Sequence, residues 1–339
     1  MATLLGADRC LGARSEGTVA AGRRKLDFMG DIAVQLNNVS KRIDSVSIVK
    51  HISFEVAQGE VFGLIGPSGS GKTTTIRLIC GVYEPTDGEV RVFGVAPRHF
   101  KRSHRERIGY MPQLFLLYPD LSVSENLSFV ASLYGMGWLA RRRRAKQVLE
   151  FVGLLSDRHK LMRDCSGGMQ RRLELACTLV HSPDLLFLDE PTVGMDPVLR
   201  QRFWGHFRSL ASEGKTLCIT TNIVSEAEYC DRVAVLNDGR LVAIGTPLEL
   251  RRLAFGGDVL ELVADDMSWD ILRTLDYVPD VISAQQIASG RLRILVKDAS
   301  RSIPPVVNAV ESRGVRVQSV REYRPPFDEV FARLVSQNG

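Results

Sequence analysis

The chain is poor in the features that mark secreted, metal-structured or membrane-spanning proteins. Its six cysteines (Cys10, Cys80, Cys165, Cys177, Cys218 and Cys230) form no C-x-x-C pair. That excludes the common zinc spacings and a disulfide framework. Most lie in apolar surroundings and read as small core residues of a reduced, cytosolic protein. The six histidines are scattered without metal-ligand spacing. No run of 18 apolar residues occurs, so the chain does not span a membrane on its own. Residues 1–30 lack a continuous apolar segment, which argues against a secretory signal despite Arg23-Arg24. Charge of one sign does not dominate either: the formal net charge is only +5 over 339 residues. The one dense basic run, Arg141-Arg142-Arg143-Arg144, has no interleaved aromatics, which speaks against nucleic acid as a partner. It reads as a solvated helix face, with contact to acidic protein or lipid headgroups as the alternative.

What is present is a globular composition, 45% hydrophobic and 24% charged. The length suits one large domain and a smaller one. Residues 1–30, rich in Gly, Ala and Arg, are expected to form a disordered extension. Met29 is a candidate natural start, which an intact mass beginning at Met1 would refute. Trp138, Trp204 and Trp269 are expected to be packing residues.

The most informative stretch is Gly66-Pro67-Ser68-Gly69-Ser70-Gly71-Lys72-Thr73-Thr74, which fits G-x-x-x-x-G-K-[ST]. Val61 to Ile65 before it reads as a buried strand, and Thr74 to Cys80 after it as a helix. Glycines let backbone N–H groups curl round a phosphate. The helix N-terminus adds partial positive charge. Lys72 is expected at the β- and γ-phosphates of a nucleotide, and the Thr73 hydroxyl on Mg²⁺.

Downstream, Leu185 to Leu188 is an apolar strand ending in Asp189-Glu190. At that end of a parallel strand a carboxylate faces the nucleotide crevice. Asp189 is expected to hold Mg²⁺ through water, and Glu190 to act as general base toward the attacking water. Ser166-Gly167-Gly168 opens a helix with period Leu173, Leu175, Ala176, Leu179, and so makes a second anion nest. One nucleotide does not need two nests in one chain. The pattern makes sense if two chains pair head to tail.

Strands alternating with helices round the loop predict a mainly parallel α/β core. From about Leu114 to Asp164 helical patterns dominate, including Ser124 to Tyr134 and Ala145 to Val152. Further helices are expected at Pro197 to Glu213 and Ser225 to Tyr229. Beyond Gly256-Gly257 the order β-α-β-β-α-β, with a helix read over Pro304 to Arg313, gives the split arrangement of ferredoxin-like domains. A last helix is expected over Phe327 to Val335. The domains expected are therefore 1–30, 31–255 with a helical subdomain over about 114–165, and 256–339. The last would serve in packing, dimerisation or regulation.

Over residues 32 to 255 these motifs, in continuous order, resemble the ATP-binding subunit of an ATP-binding cassette (ABC) transporter. The resemblance implies a P-loop NTPase cassette with a parallel core, an antiparallel β part and a helical subdomain. It implies that Gln113 senses Mg²⁺ and the γ-phosphate, and that Ser166, Gly167 and Gly168 contact the ATP held by a second ABC ATPase chain. Gly194-Met195-Asp196 resembles the D-loop. Tyr118 to Gly135, the C-terminal domain and Phe327-Asp328-Glu329-Val330-Phe331 are similar to drug- and polysaccharide-exporting ATPases. The similarity implies an ABC-2 type transmembrane permease as partner, and a peripheral position on the cytoplasmic face of the membrane. Soluble ABC proteins of chromosomes or ribosomes fit poorly. Lys72 and Ser166 are 94 residues apart, too close for a long coiled coil, and there is only one cassette.

Three positions depart from the family pattern. Ile43 stands where an aromatic stacks on adenine, which predicts weaker adenine affinity and similar affinity for ATP and GTP. Asn222 replaces the switch histidine ahead of Glu226-Ala227-Glu228; it can donate to a γ-phosphate oxygen but carries no charge. Cys165 and Met169 flank the Ser-Gly-Gly core in place of Leu and Gln, which tunes rather than removes the motif. Ile43 and Asn222 also leave room for a second reading, a catalytically weakened regulatory cassette in a heterodimeric transporter.

Overall fold

Three segments in which every residue is buried, β3 (Val61–Ile65), β6 (Leu185–Asp189) and β7 (Thr216–Thr221), form the centre of a six-stranded sheet. Continuous apolar runs suit strands covered on both faces. The sheet order is β5 (Ile108–Met111), β6, β7, β3, β8 (Arg232–Asn237), β9 (Arg240–Gly245). β5 through β8 pair in parallel, and β9 returns antiparallel to β8. The computed structural model describes residues 31–113, 117–265 and 270–337. The expectations for residues 1–30, for Met29 as a start and for Trp269 lie outside the described residues, as do 114–116 at the start of the helical stretch.

A second, antiparallel sheet has the order β2 (Val46–Ala57), β1 (Ile32–Ile43), β4 (Asp87–Val92). The sequence alternates as strands do over Ile32 to Leu36 and Ile52 to Val56, and β1 and β2 run well past both segments. Register shifts, and left-handed backbone at Asn38 and His51, break the alternation that would have revealed their length. Leu36, Phe54, Phe62, Leu78 and Phe187 fill the core shared by the two sheets and α1 (Lys72–Ile79).

Beyond the short α2 (Arg102–Arg105) come α3 (Val123–Leu133), α4 (Trp138–Phe151), α5 (Gly167–Leu179) and α6 (Pro197–Ser212). Ser122 caps α3 in a reciprocal box with Glu125, and Asp196 caps α6 through the N–H groups of Val198 and Leu199. α4 starts seven residues before the position read from the sequence, because its first two turns carry arginines rather than an apolar stripe. Arg144 is not a solvated residue: its guanidinium donates to the carbonyls of Leu179 and Val180 and so closes the C-terminus of α5. Trp204 is buried, but Trp138 is 64% exposed and does not pack in the core. The segment read as a helix over Ser225 to Tyr229 is a 3₁₀ turn, Val224–Tyr229.

After α7 (Pro247–Phe255) the chain enters a four-stranded antiparallel sheet. Its order is β11 (Val281–Ala288), β12 (Arg291–Val296), β10 (Asp258–Ala264), β13 (Val317–Tyr323). With α8 (Asp270–Leu275) and α9 (Ala299–Glu311), this is the ferredoxin-like order. α9 begins five residues before Pro304, the position read as its start. Asp298 caps it through the N–H of Arg301, and both prolines lie inside it. The last helix, α10 (Phe327–Gln337), returns to the cassette. Its Phe327, Val330 and Leu334 join Leu250, Ala254 and Trp204 in one core.

Candidate nucleotide-binding site

β3 ends at the loop Gly66 to Gly71, and α1 starts at Lys72. The loop requires glycine where neighbours crowd it. A Cβ at Gly66 would lie 2.2 Å from the Leu236 carbonyl oxygen, and Gly71 has φ +98 with the Ile48 carbonyl oxygen 2.9 Å from where its Cβ would stand. The latter contact places β2 beside the loop, and with it the hairpin carrying Ile43, which is 37% exposed opposite Val46.

Lys72 is buried and donates to the carbonyls of Gly66 (2.9 Å) and Pro67 (3.0 Å), with a carboxylate oxygen of Glu190 3.8 Å away. Burial lowers its pKa, while the Glu190 and Asp189 charges oppose the shift. The ammonium is thus inside the loop, bonded to groups that a phosphate can replace.

β6 delivers Asp189 and Glu190 to the same end of the sheet. Asp189 is fully buried; its Oδ1 accepts from Thr73 Oγ1 (3.0 Å) and Thr220 Oγ1 (2.5 Å). Its Oδ2 is buried with no hydrogen-bond partner, and so is Ser70 Oγ within the loop. Buried polar atoms are seldom left unpaired. A hard cation at Asp189 and Thr73, and a phosphate oxygen at Ser70, would satisfy both, so these residues fit a Mg²⁺–nucleotide. The Asp189 charge, after burial, also drives the Tyr110 hydroxyl up to about 12.

Glu190 has φ +48, left-handed backbone in a non-glycine residue. Its N–H donates to the Thr220 carbonyl and side chain, which holds the turn. Its Oε2 accepts from Gln113 Nε2 at 2.9 Å. The structure therefore brings Lys72, Thr73, Gln113, Asp189 and Glu190 together. Pro67, Ser68 and Gly69 are exposed on the loop's outer side, and Thr74 lies in the first turn of α1. Asn222 is exposed just past β7.

Ser166, Gly167 and Gly168 are not part of this cluster. Ser166 caps α5 through the Met169 N–H, and Ser166 and Gly167 are exposed. With Gly194, Met195 and Asp196 these residues line a separate open cavity of about 410 Å³.

Three residues escaped the sequence reading. Arg171, in the first turns of α5, donates to the carbonyls of Asp189 (3.2 Å), Glu190 (2.8 Å) and Pro191 (3.1 Å), and pairs with Glu174. It ties the Ser166 helix to the backbone that carries the two acids. Thr220 fixes Asp189 and Glu190 from the neighbouring strand, and Thr192 donates to buried Glu226 at 2.6 Å. The available signal was a pair of threonines ending an otherwise apolar strand; Arg171 gave none, because its role depends on a contact distant in sequence.

The family described as ABC transporter matches residues 49–193. The chain is 41% identical to the Nod factor export ATP-binding protein I of Paraburkholderia xenovorans over 312 residues, 91% of this chain and 99% of that one. It is 39% identical over 222 residues, 66% of its length, to the "Probable multidrug ABC transporter ATP-binding protein YbhF" of Escherichia coli, and spans 38% of that protein's length. Among solved structures, an ATP-binding subunit of an ABC transporter superposes with a TM-score of 0.60 at 27% identity, covering 65% of this chain and 92% of the other. A dimeric ATP-binding cassette holding ADP and phosphate gives 0.58 at 27% identity, covering 63% and 98%.

Proposed function

Because this chain belongs to the ABC transporter family, as an ATP-hydrolysing ATP-binding subunit, we propose that it drives an exporter by closing as a pair on ATP. One observation carries the reading. The chain has a glycine loop with Lys72 buried in it beside Glu190, and a second, separate helix N-terminus exposed at Ser166. Two copies, or this chain and a similar one, facing head to tail would cover each ATP with the Ser166 turn of the opposite chain.

In this reading the N–H groups of the loop and the Ser70 hydroxyl bind the phosphates. Lys72 exchanges its carbonyl partners for β- and γ-phosphate oxygens. Thr73 and Asp189 would hold Mg²⁺, which supplies charge neutralisation of the phosphates when bound. The Glu190 carboxylate accepts a proton from water as that water attacks the γ-phosphorus and the bond to the ADP oxygen breaks. The Gln113 amide, already bonded to Glu190, orients the water. Asn222 offers an N–H to the γ-phosphate. Ile43 gives the adenine an aliphatic contact.

The partner in the membrane would be a separate ABC-2 type permease, with this chain peripheral on the cytoplasmic face. The name of the Paraburkholderia xenovorans relative speaks for export, and no helix among the described residues is long and apolar enough to cross a membrane. The bonded set Lys72, Gln113, Asp189 and Glu190 weighs against the weakened-cassette reading.

Steady-state ATP hydrolysis by the purified chain, beside Glu190→Gln, is the test. Turnover that falls by at least about a hundredfold in Glu190→Gln supports the reading. Equal turnover in both proteins would remove Glu190 as the general base, and binding of ATP with no turnover in either would overturn the reading in favour of a partner that hydrolyses.

A further inference from the structure

The basic run is displayed in an unusual setting. α4 opens on Trp138 and Leu139, which are 64% and 74% exposed, and Leu133 just across the turn is 67% exposed. At 100° per residue, Leu139, Arg143 and Lys146 fall along one stripe with Arg142 beside it, while Val148 and Leu149 face the core. Arg142 lies over the Trp138 ring, 5.9 Å from its centre.

Some exposed arginines elsewhere on the surface pair with carboxylates, as Arg102 does with Glu106, Arg163 with Asp120 and Arg321 with Glu261. Among the described residues, Arg142, Arg143 and Lys146 make no such pair. Trp138, Arg142 and Lys146 also line a groove of about 720 Å³, with Leu155 along it and Arg141 and Arg158 on its walls. Its one carboxylate, Glu125, is already engaged by the Ser122 hydroxyl and N–H, which hold its pKa low.

We infer that the N-terminal half of α4 and the α3–α4 turn form a membrane-surface contact that seats on anionic lipid headgroups. Tryptophan, leucine and arginine on one exposed turn suit the boundary between headgroups and acyl chains. Arginine and lysine stems lie along apolar surface with their charges among the phosphates. An acidic protein segment would be satisfied by the groove and would leave Leu133 and Leu139, which project from the turn, uncovered. A diffusely anionic surface engages every member of the patch. The inference rests on the exporter reading for one point only, that the chain works beside a membrane.

The test is co-sedimentation of the full chain with phosphatidylcholine vesicles and with equimolar phosphatidylcholine–phosphatidylglycerol vesicles. Binding is expected only to the anionic vesicles and should weaken as salt rises. Each neutralised cation should weaken it about fivefold, so Arg142→Gln, Arg143→Gln and Lys146→Gln together should lower partitioning about a hundredfold. Leu139→Ser should lower it without altering the salt dependence. Brominated anionic lipid should quench wild-type fluorescence more than that of Trp138→Phe.

Equal binding to both vesicle types, or wild-type binding by the triple variant, would overturn the inference. So would absence of vesicle binding together with capture of soluble poly-glutamate, which would identify an acidic protein segment. ATP hydrolysis in solution, measured on the same preparations, separates the two readings. Loss of vesicle binding in the triple variant with hydrolysis unchanged fits both. Vesicle binding by a chain that never hydrolyses ATP leaves the patch standing and removes the motor.

Discussion

The Lys72 loop and the Ser166 turn both open a helix N-terminus, yet they are built oppositely. At the loop, Ser70, Gly71 and Lys72 are buried, carbonyls crowd Gly66 and Gly71, and Asp189 is held by hydroxyls from α1 and β7. At the Ser166 turn, Ser166 and Gly167 are exposed and a Cβ on Gly167 would meet nothing within 4 Å. The first half-site is finished within one chain. The second has its geometry fixed by a cap and by Arg171, and has one side open. On the proposed head-to-tail pairing, pre-organisation is strong where a single chain would grip the nucleotide and is confined to the backbone where a second surface would arrive.

The sharpest way to break this contrast is to disable each half. Lys72→Ala should reduce turnover by about 10²–10³ and also weaken ATP binding by the isolated chain. Ser166→Ala should leave single-chain ATP binding intact and lower turnover only where chains pair. Nucleotide titration beside concentration-dependent hydrolysis distinguishes the two, and equal loss of single-chain binding in both variants would erase the distinction. The glycines supply a stability version. Gly66→Ala forces Cβ against the Leu236 carbonyl and should destabilise by about 3 kcal/mol, whereas Gly167→Ala, in the first turn of α5, should stabilise by about 0.5 kcal/mol. Urea midpoints moving together would count against the packed-versus-open contrast.

Asn222 lies between these extremes, exposed beside the finished half-site. Asn222→Ala should lower turnover by less than the Lys72 change, since only one neutral donor is lost; turnover equal to wild type removes Asn222 from the site. A smaller effect is expected where the helical region meets the sheet. His181 stacks on Tyr134 at 3.7 Å and bonds the Ile108 carbonyl. Burial lowers its pKa below the ordinary 6.5. The neutral ring is therefore favoured in the folded chain. Its stabilising contribution is complete above about pH 6.5 and is lost as pH falls through the depressed value. Thermal unfolding of His181→Gln should show a shallower acid slope than wild type; an unchanged slope would refute the assignment.

Much of the grip was legible in the sequence because it is local. Strand, glycine loop and helix stand in one stretch, and with that loop upstream the apolar run closed by Asp189-Glu190 reads as a buried strand. The ferredoxin-like order was legible from the succession of strand and helix patterns beyond Gly256-Gly257. What stayed hidden depended on contacts distant in sequence or on broken periodicity. Arg171 reads as one more arginine until α5 lies against the end of β6. Asp298 starts α9 ahead of two prolines because Ala299, Ser302, Val306 and Val310 have a core to enter. Trp138, read as a packing residue, is exposed, because residue type alone does not say which side of a helix start faces out.

The left-handed turn at Glu190 has a consequence for how this protein can change. A side chain at φ +48 carries conformational strain of about 1–3 kcal/mol, and the carboxylate it presents is buried next to a second acid. Glycine at 190 would relax the backbone and remove a desolvated charge. With Glu190 in its proposed role as general base, stabilising drift at this position runs straight toward an inert protein. A screen for thermal tolerance alone would be expected to enrich for chains that fold better and no longer work.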